Sequence, residues 1–161
     1  MNHRFLSNHE SETFRWGQRL SQFLEPGDVI GFFGDLGSGK TRTIQGICNG
    51  LACDHDVSSP TFTIINEYQG KFPIYHFDFY RIESVGEIFD LGYEEYFYNE
   101  GICLIEWAER VQSLLPPNHI EIHLKGFFQP GKENLREINF KPIGQMMLER
   151  NWNLNKITGE I

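Results

Sequence analysis

The chain has 161 residues, a formal net charge of −8, 40% hydrophobic residues and 22% charged residues. These values are those of an ordinary globular protein, and we expect a single domain over residues 1–161 with a frayed tail from about residue 153. The acidic balance argues against a broad nucleic-acid surface, which is basic, and leaves room only for a local basic patch. Three cysteines without C-x-x-C spacing indicate buried free thiols rather than a zinc site or disulfides. The absence of a long apolar run and the polar N-terminus predict a cytoplasmic protein without a membrane segment.

Hydrophobic periodicity predicts the elements of the first half of the chain. Ser11 or Thr13 is expected to cap the first helix. The strands predicted at 61–68 and 72–79 are expected to be antiparallel neighbours. In chain order, the prediction is a helix at 9–24, a strand at 29–33, a helix at 39–51, a mobile loop at 53–60, and strands at 61–68 and 72–79.

The second half begins with residues 83–100, an acidic segment that has six carboxylates and no lysine or arginine. We expect two short helices there, broken at Leu91 and Gly92. The continuous apolar run 102–105 is typical of a central strand in a parallel sheet. His119 and His123 alternate with apolar residues, and we interpret them as solvated side chains of an edge strand rather than a metal pair. The remaining predicted elements are a helix at 107–114, strands at 119–124 and 136–140, and a terminal helix at 142–152.

Residues 34–41, which we call the glycine-rich loop, match the phosphate-binding pattern G-x-x-x-x-G-K-[ST] in full. Glycines allow successive backbone N–H groups to point into one concavity, and the following helix adds the positive end of its dipole. Lys40 is predicted to reach the β- and γ-phosphates, and the Thr41 hydroxyl to ligate magnesium. The residues of the loop are Gly34, Asp35, Leu36, Gly37, Ser38, Gly39, Lys40 and Thr41.

Two further acids, Asp78 and Glu106, each end an apolar strand. In an open α/β sheet, ligands gather at the carboxyl ends of the strands, so both acids are expected near the γ-phosphate. A phosphate loop needs such an acid to hold magnesium and a group to orient the attacking water. The structural alternatives are that Asp78 is a cap paired with Arg81, and that Glu106 is the first-turn acid of a helix beginning at Trp107.

Five strings of residues occur in an order that resembles one family. They are residues 34–41 (GDLGSGKT), 59–63 (SPTFT), 75–81 (YHFDFYR), 91–93 (LGY) and 103–107 (CLIEW). Together they resemble the bacterial tRNA threonylcarbamoyladenosine biosynthesis ATPases, the TsaE (YjeE) family, over about residues 10–140. The phosphate loop is shared with many ATPases, whereas the other strings in this order are much more specific.

The resemblance implies an α/β fold, a P-loop NTPase-like three-layer sandwich with a mixed, mainly parallel sheet and helices on both faces. It implies that Thr61 lies in a switch-like loop that senses the γ-phosphate and metal. Asp78 is implied to be the Walker-B-like acid, and Glu106 to be a metal-side or water-orienting acid. Trp107 is implied to be a neighbour of Glu106 in the site, and Arg136 to be a basic residue near the nucleotide.

The resemblance also implies a function: magnesium-dependent ATP binding and hydrolysis in support of TsaD and TsaB, the pair that attaches threonylcarbamoyl to an adenosine of tRNA. The protein itself would not catalyse that transfer, and direct contact with tRNA is not expected. Two residues depart from the family pattern. Ser38 replaces the usual alanine, and Arg42 stands where a second threonine is common, so the role of that hydroxyl is lost or moved to Thr43.

Three other classes compete with this interpretation. A small-molecule or nucleotide kinase shares the phosphate loop but needs a second substrate pocket and usually an arginine-bearing lid, and the arginines here are few and scattered. A GTPase needs an Asn-Lys-x-Asp string to read guanine, and Asn155-Lys156 is followed by Ile157-Thr158. A non-catalytic ATP-binding scaffold differs from an ATPase only in turnover.

Overall fold

A computed structural model describes residues 3–159. Two 3-10 turns, Ala108–Arg110 and Gln112–Leu114, lie between the fifth and sixth strands. The bounds of the strands and α-helices, in chain order, are β1 (His3–Ser7), α1 (Glu10–Ser21), β2 (Val29–Phe33), α2 (Lys40–Gly50), β3 (Ile65–Gln69), β4 (Pro73–Asp78), α3 (Val85–Asp90), α4 (Tyr93–Phe97), β5 (Ile102–Glu106), β6 (His119–Gly126), β7 (Arg136–Ile143), α5 (Gln145–Glu149) and α6 (Leu154–Thr158).

The seven strands form one mixed sheet in the order β1-β7-β6-β2-β5-β4-β3. At its centre, β2 runs parallel to β6 and β5, and β5 runs parallel to β4. The pairs β1–β7, β6–β7 and β3–β4 are antiparallel, the last as predicted. The prediction of a mainly parallel sheet therefore holds only for the centre. Because the central strands are parallel, the carboxyl ends of β2, β4 and β5 meet at one edge.

Alternate residues of β2 face opposite sides of the sheet. Ile30 and Phe32 belong to a core cluster that includes Trp16 of α1 and side chains of α2. Val29 and Phe33 belong to a second cluster that includes side chains of α3, α4 and the first 3-10 turn. Fully burying one such side chain contributes about 1.5–3 kcal/mol. The sheet is therefore held between helices on both faces, as expected.

Close packing of α1 against α2 fixes the start of α2 at this edge. A β-carbon added to Gly46 would lie 2.1 Å from the Phe14 carbonyl oxygen, and one added to Gly17 would lie 2.4 Å from that of Thr43. No real side chain tolerates such distances, so only glycine permits this approach of the two helices. The position of α2 against α1, and with it that of Lys40 at the start of α2, depends on these contacts.

Several element boundaries differ from the predictions for local reasons. The strand predicted at 61–68 begins only at Ile65, because residues 61–63 form a turn and Ile64 has a φ of 70°. The predicted helix 107–114 is wrong: Trp107 adopts a left-handed φ of 57°, and only two 3-10 turns follow. The first helix is capped by His9, whose Nδ1 accepts the Ser11 N–H at 3.1 Å.

The C-terminal region is also more ordered than predicted. β7 continues to Ile143, so the predicted helix 142–152 is reduced to the five residues of α5. The tail forms α6, and Ile157 is buried in the cluster around α1, so fraying is wrong up to Gly159. Residues 160 and 161 lie outside the described range.

The prediction of solvated histidines on an edge strand is wrong, because β6 lies between β2 and β7. His119 and Glu121 are buried, and the Glu121 carboxylate lies 3.2 Å from His119 Nε2 and 2.7 Å from His123 Nε2. The ring of His123 stacks on Phe33. The polar side chains of β6 thus form a hydrogen-bonded cluster around Glu121, in which His123 is half-buried and also meets solvent.

Two further expectations concern free cysteine thiols and the absence of a membrane-spanning helix. Cys48 and Cys103 are buried, Cys53 is half-buried, and all three are free. Burial raises the pKa of Cys48 and of Cys103 to about 12, which makes both thiols inert at neutral pH. Among residues 3–159, every helix is too short or too polar to span a bilayer.

Candidate functional site

A cleft of about 450 Å³ opens at the carboxyl ends of β2, β4 and β5, within the usual size range of ligand sites. The register of β4 on β5 sets Asp78 opposite Glu106, and that of β5 on β2 sets Glu106 opposite Phe32, just before the glycine-rich loop. The sheet itself therefore brings the loop and both acids together. The cleft is lined by Glu10, Thr13, Leu36, Gly37, Ser38, Gly39, Lys40, Thr41, Arg42, Ser59, Thr61, Asp78, Tyr80, Glu106, Trp107, Asn134 and Arg136.

The glycine-rich loop has the backbone that its sequence demands. Gly39, at the start of α2, has a φ of 102°, which an L side chain rarely adopts. A β-carbon at Gly34 would lie 2.4 Å from the Leu124 carbonyl oxygen, so the loop is held tightly against β6. The Ser38 hydroxyl is buried and has no hydrogen-bond partner among the described residues. A bound anion would satisfy this orphaned donor, so the loop fits a phosphate group.

The Lys40 ammonium is anchored inside the loop. It donates to the backbone carbonyls of Gly34 and, at 3.0 Å, Asp35, and it lies 3.9 Å from the centre of the Trp107 ring. Burial lowers the pKa of Lys40, and the nearby carboxylates of Glu109 and Glu106 oppose this shift. A phosphate in the loop would supply the full negative charge that these carbonyls and the indole replace only in part.

Both carboxylate oxygens of Glu106 have hydrogen-bond partners. Its Oε1 accepts the Thr41 hydroxyl at 2.7 Å, and its Oε2 lies 2.7 Å from His76 Nε2. Burial raises the pKa of Glu106, but hydrogen bonds from His76 and Thr41 outweigh this, so the pKa lies below its ordinary value. Glu106 is therefore a buried carboxylate, 3% exposed, that is ionised at neutral pH.

Asp78 is held from the loop that precedes β3. Its Oδ2 accepts the Ser59 hydroxyl and lies 3.4 Å from the Thr61 hydroxyl, while its Oδ1 accepts the Tyr80 N–H at 2.9 Å. The alternative pairing of Asp78 with Arg81 is not seen, since the Arg81 guanidinium lies 4.3 Å from the centre of the Phe62 ring. Asp78 thus links β4 to the loop that carries Thr61.

Trp107 forms the wall of the cleft beside Glu106. Its left-handed backbone directs the chain away from the sheet directly after β5, and its ring lies 4.9 Å from that of Tyr80. The indole therefore contacts both Lys40 and Tyr80. The alternative of Glu106 as the acid of a helix beginning at Trp107 is wrong, because no α-helix follows β5 directly.

Two predicted residues have less direct positions. Thr43 is fully buried and its hydroxyl donates to the Gly39 carbonyl at 2.8 Å, so it lies apart from the cleft. Arg136 lines the cleft, and its guanidinium also donates to the carbonyls of Glu133 at 2.7 Å and Leu135 at 2.8 Å.

Ser59, His76 and Tyr80 contact the predicted acids or their neighbours, but sequence reasoning gave them no role. Each lies in one of the strings quoted above, within three residues of Thr61 or Asp78. Strand alternation was a usable signal for His76, because residues 76 and 78 lie on the same face of β4. The cleft also includes Glu10, Thr13 and Asn134, for which the sequence offered no signal.

The oxygen atoms that line the cleft are suitable ligands for a hard cation. Thr41, Asp78 and Glu106 present only oxygen atoms, which Mg²⁺ prefers. Among residues 3–159, no three His, Cys, Asp or Glu side chains form a cage for a metal ion. A magnesium ion in this cleft would therefore need further ligands from water or from phosphate, which is usual for this ion.

Comparisons with known proteins find one family. The family model "Threonylcarbamoyl adenosine biosynthesis protein TsaE" matches residues 7–133. The tRNA threonylcarbamoyladenosine biosynthesis protein TsaE of Bacillus subtilis (strain 168) is 43% identical over 134 residues, which cover 83% of this chain and 81% of that protein. The protein of the same name from Treponema pallidum (strain Nichols) is 40% identical over 122 residues, covering 76% and 90%.

A solved structure is similar over nearly the whole chain. The crystal structure of Bacillus subtilis YdiB superposes with a TM-score of 0.74 at 34% sequence identity, covering 92% of this chain and 90% of that one. The match of the family model, the level of identity to these relatives and the shared fold together show that the chain belongs to the TsaE family.

Proposed function

We propose that this protein binds and hydrolyses ATP with magnesium, in support of the tRNA N6-threonylcarbamoyladenosine modification for which its relatives are named. Family membership supports the part in threonylcarbamoyladenosine biosynthesis. The proposal includes a P-loop NTPase-like sandwich, supported by the parallel strand β2, the glycine-rich loop and α2 in succession. It also includes the cytoplasmic location expected from the sequence.

One observation carries the proposal: Lys40, Thr41, Asp78 and Glu106 converge in a single cleft although they come from three separate strand ends. A loop built only for structure would not need a buried lysine beside two ionisable acids. Phosphoryl transfer depends on positioning and on electrostatic stabilisation, and this set of groups provides both.

Each residue has a distinct part in the proposed reaction. The backbone N–H groups of residues 34–41 and the Lys40 ammonium would bind the phosphates. Thr41 and Asp78 would hold magnesium, which supplies neutralisation of phosphate charge when bound. Glu106, an ionised carboxylate next to Thr41, would bind on the metal side or orient the attacking water.

Thr61 and Ser59 lie on one loop and both approach Asp78, so this loop would respond to the occupancy of the metal site. Trp107 would shield the cleft beside Lys40, and Arg136 would face the nucleotide from β7. Because Thr43 is bonded to the backbone of α2, its contribution would be to hold the start of that helix.

The proposed partners are TsaD and TsaB, and the acidic segment 83–100 is the proposed docking surface. Phe89 and Tyr98 are 55% and 65% exposed among its carboxylates. Tyr93 is buried, and Tyr96 packs against Tyr75, so these two aromatic residues belong to the core. Solvated acids around two exposed aromatic rings would suit a partner surface with basic and apolar groups.

Phosphate release by the purified protein tests the proposal. We expect slow magnesium-dependent hydrolysis of ATP by the protein alone, faster release with TsaD and TsaB, and less release from GTP. A chain that binds ATP but releases no phosphate with both partners present would be a scaffold, and the ATPase proposal would be refuted.

A further inference from the structure

His76 is a buried polar side chain to which the proposed reaction assigns no role. It lies within β4 and is 0% exposed, and both ring nitrogens have partners. Nε2 lies 2.7 Å from Glu106 Oε2, and Nδ1 lies 3.2 Å from the Tyr68 hydroxyl. The imidazole therefore connects an acid of the cleft with a residue of β3, across the strand that separates them.

The hydrogen-bond directions follow from the groups themselves. Glu106 Oε1 already accepts the Thr41 hydroxyl, and the oxygens of a carboxylate only accept, so Oε2 is an acceptor as well. The Nε2 nitrogen of His76 must then be the donor. In the neutral ring Nδ1 is the acceptor, and it accepts a hydrogen bond from the Tyr68 hydroxyl.

The chain of hydrogen bonds continues to the loop that holds Asp78. Asn66 Nδ2 lies 3.2 Å from the Tyr68 oxygen and 3.3 Å from the Ser58 carbonyl oxygen, and its two protons serve one acceptor each. The Tyr68 hydroxyl also lies 3.2 Å from that carbonyl. Ser58 directly precedes Ser59, which donates to Asp78. Both acids of the cleft are thus tied to one short stretch of loop.

We propose that His76, supported by Tyr68, is a positioning residue that fixes the orientation of the Glu106 carboxylate toward Thr41 and the metal side of the cleft. The inference rests on the proposed ATPase function. Its physical basis is that a buried carboxylate needs donors on both oxygens. Thr41 serves Oε1, and His76 lies 2.7 Å from Oε2, while the Ser59 hydroxyl that also approaches Glu106 is shared with Asp78. Without that donor, Glu106 would rotate away from the geometry in which Oε1 meets Thr41.

Two substitutions whose amide groups stand one methylene apart, and which therefore place an N–H at different positions, separate this role from the loss of the ring. In His76→Gln, the side-chain amide nitrogen takes the place of Nε2 and still reaches Glu106. In His76→Asn, the amide nitrogen takes the place of Nδ1 and faces Tyr68. The measured quantity is the magnesium concentration that half-saturates the enhancement of ADP affinity, determined by calorimetry without turnover. Steady-state phosphate release is the second readout.

We expect His76→Asn to raise the half-saturating magnesium concentration about 10-fold or more, the usual effect of removing a partner of a metal ligand. His76→Gln should stay close to wild type, and ADP affinity without magnesium should be unchanged in both. Ile74→Val is the matched control, because Ile74 is also fully buried on β4 and does not contact Glu106. It should lower the melting temperature and leave the magnesium dependence unchanged.

Equal magnesium dependence in the Gln and Asn variants would overturn the inference while leaving the ATPase proposal intact, provided the wild type responds to magnesium. A wild-type protein that binds no nucleotide would refute both. If the His76 variants do not fold, Tyr68→Phe decides, because it removes one hydroxyl only. We then expect a raised magnesium requirement, and a wild-type value would overturn the inference.

Discussion

The substitution Glu106→Gln separates nucleotide binding from chemistry. In the wild type, Glu106 accepts from Thr41 through one oxygen and from His76 through the other. A glutamine fits the same space. Its amide oxygen accepts from His76, and its amide nitrogen donates to the Thr41 oxygen, since a hydroxyl also accepts. The variant therefore keeps the hydrogen bonds of the cleft and loses only the negative charge.

That charge is where we expect the effect on turnover. Loss of an acid–base or water-positioning group reduces the rate by roughly 100-fold or more. This corresponds to about 2.7 kcal/mol of transition-state stabilisation at 1.36 kcal/mol per tenfold. In the proposed site, ATP affinity would depend mainly on Lys40 and the backbone of the glycine-rich loop, which the substitution does not touch, so we expect it to be nearly unchanged.

The assay is phosphate release with TsaD and TsaB present, combined with calorimetric titration of ATP into the free variant. Melting temperatures of the two proteins should be similar, which confirms that the cleft is intact. Hydrolysis by Glu106→Gln at the wild-type rate would remove Glu106 from the chemistry. Loss of ATP affinity equal to the loss of turnover would assign it to binding instead.

Three further predictions test other parts of the molecule. Thr41→Ala should weaken magnesium dependence more than metal-free nucleotide binding, which paired titrations with and without magnesium would measure; equal losses in both would contradict the assignment. Asp90→Lys with Glu95→Lys should lower affinity for TsaD and TsaB in a pull-down and leave ATP binding intact, because both acids are exposed and, within residues 3–159, neither makes a hydrogen bond to another side chain. Burial raises the pKa of Glu121, but the hydrogen bonds from His123 and His119 lower it by a larger amount, so the pKa lies below its ordinary 4.5. This group therefore stabilises the fold above about pH 4.5 and loses that contribution as pH falls through the folded pKa. Glu121→Gln should thus unfold more easily in urea at pH 7, with a smaller difference from wild type in acid, and a difference independent of pH would refute this.

The parts of the fold and site that were predictable are those with local signals. The apolar run of β2, the glycines of the loop and the periodicity of α2 are contiguous, and the structure has each at or near its predicted bounds. β5 was predictable as a central strand because it is buried on both faces and reads as an unbroken apolar run. Asp78 and Glu106 followed from those strand ends, since parallel strands end at the same edge.

The parts that were not predictable depend on contacts between distant residues. Residues 61–63 have the composition of a strand, but they form a turn in which the Thr61 hydroxyl lies near Asp78, 17 residues further along the chain. Trp107 has a left-handed backbone, which the sequence does not signal with a glycine. Its ring contacts Lys40, which is 67 residues away in the sequence. Glu121 is buried, and two histidines of its own strand hydrogen-bond to it. The alternation of polar and apolar residues in the sequence indicates only that one face of the strand is polar, and from the sequence alone that face is interpreted as solvated.

The most direct test of the nucleotide site is calorimetric titration of ATP, with magnesium, into wild-type protein, Lys40→Ala and Lys71→Ala. Lys71 lies in the β3–β4 turn, at the opposite end of β4 from Asp78, and controls for the loss of one positive charge. We predict at least a tenfold loss of affinity for Lys40→Ala, equivalent to about 1.4 kcal/mol or more, and none for Lys71→Ala. Unchanged affinity in Lys40→Ala would contradict the assignment of the cleft as an ATP site.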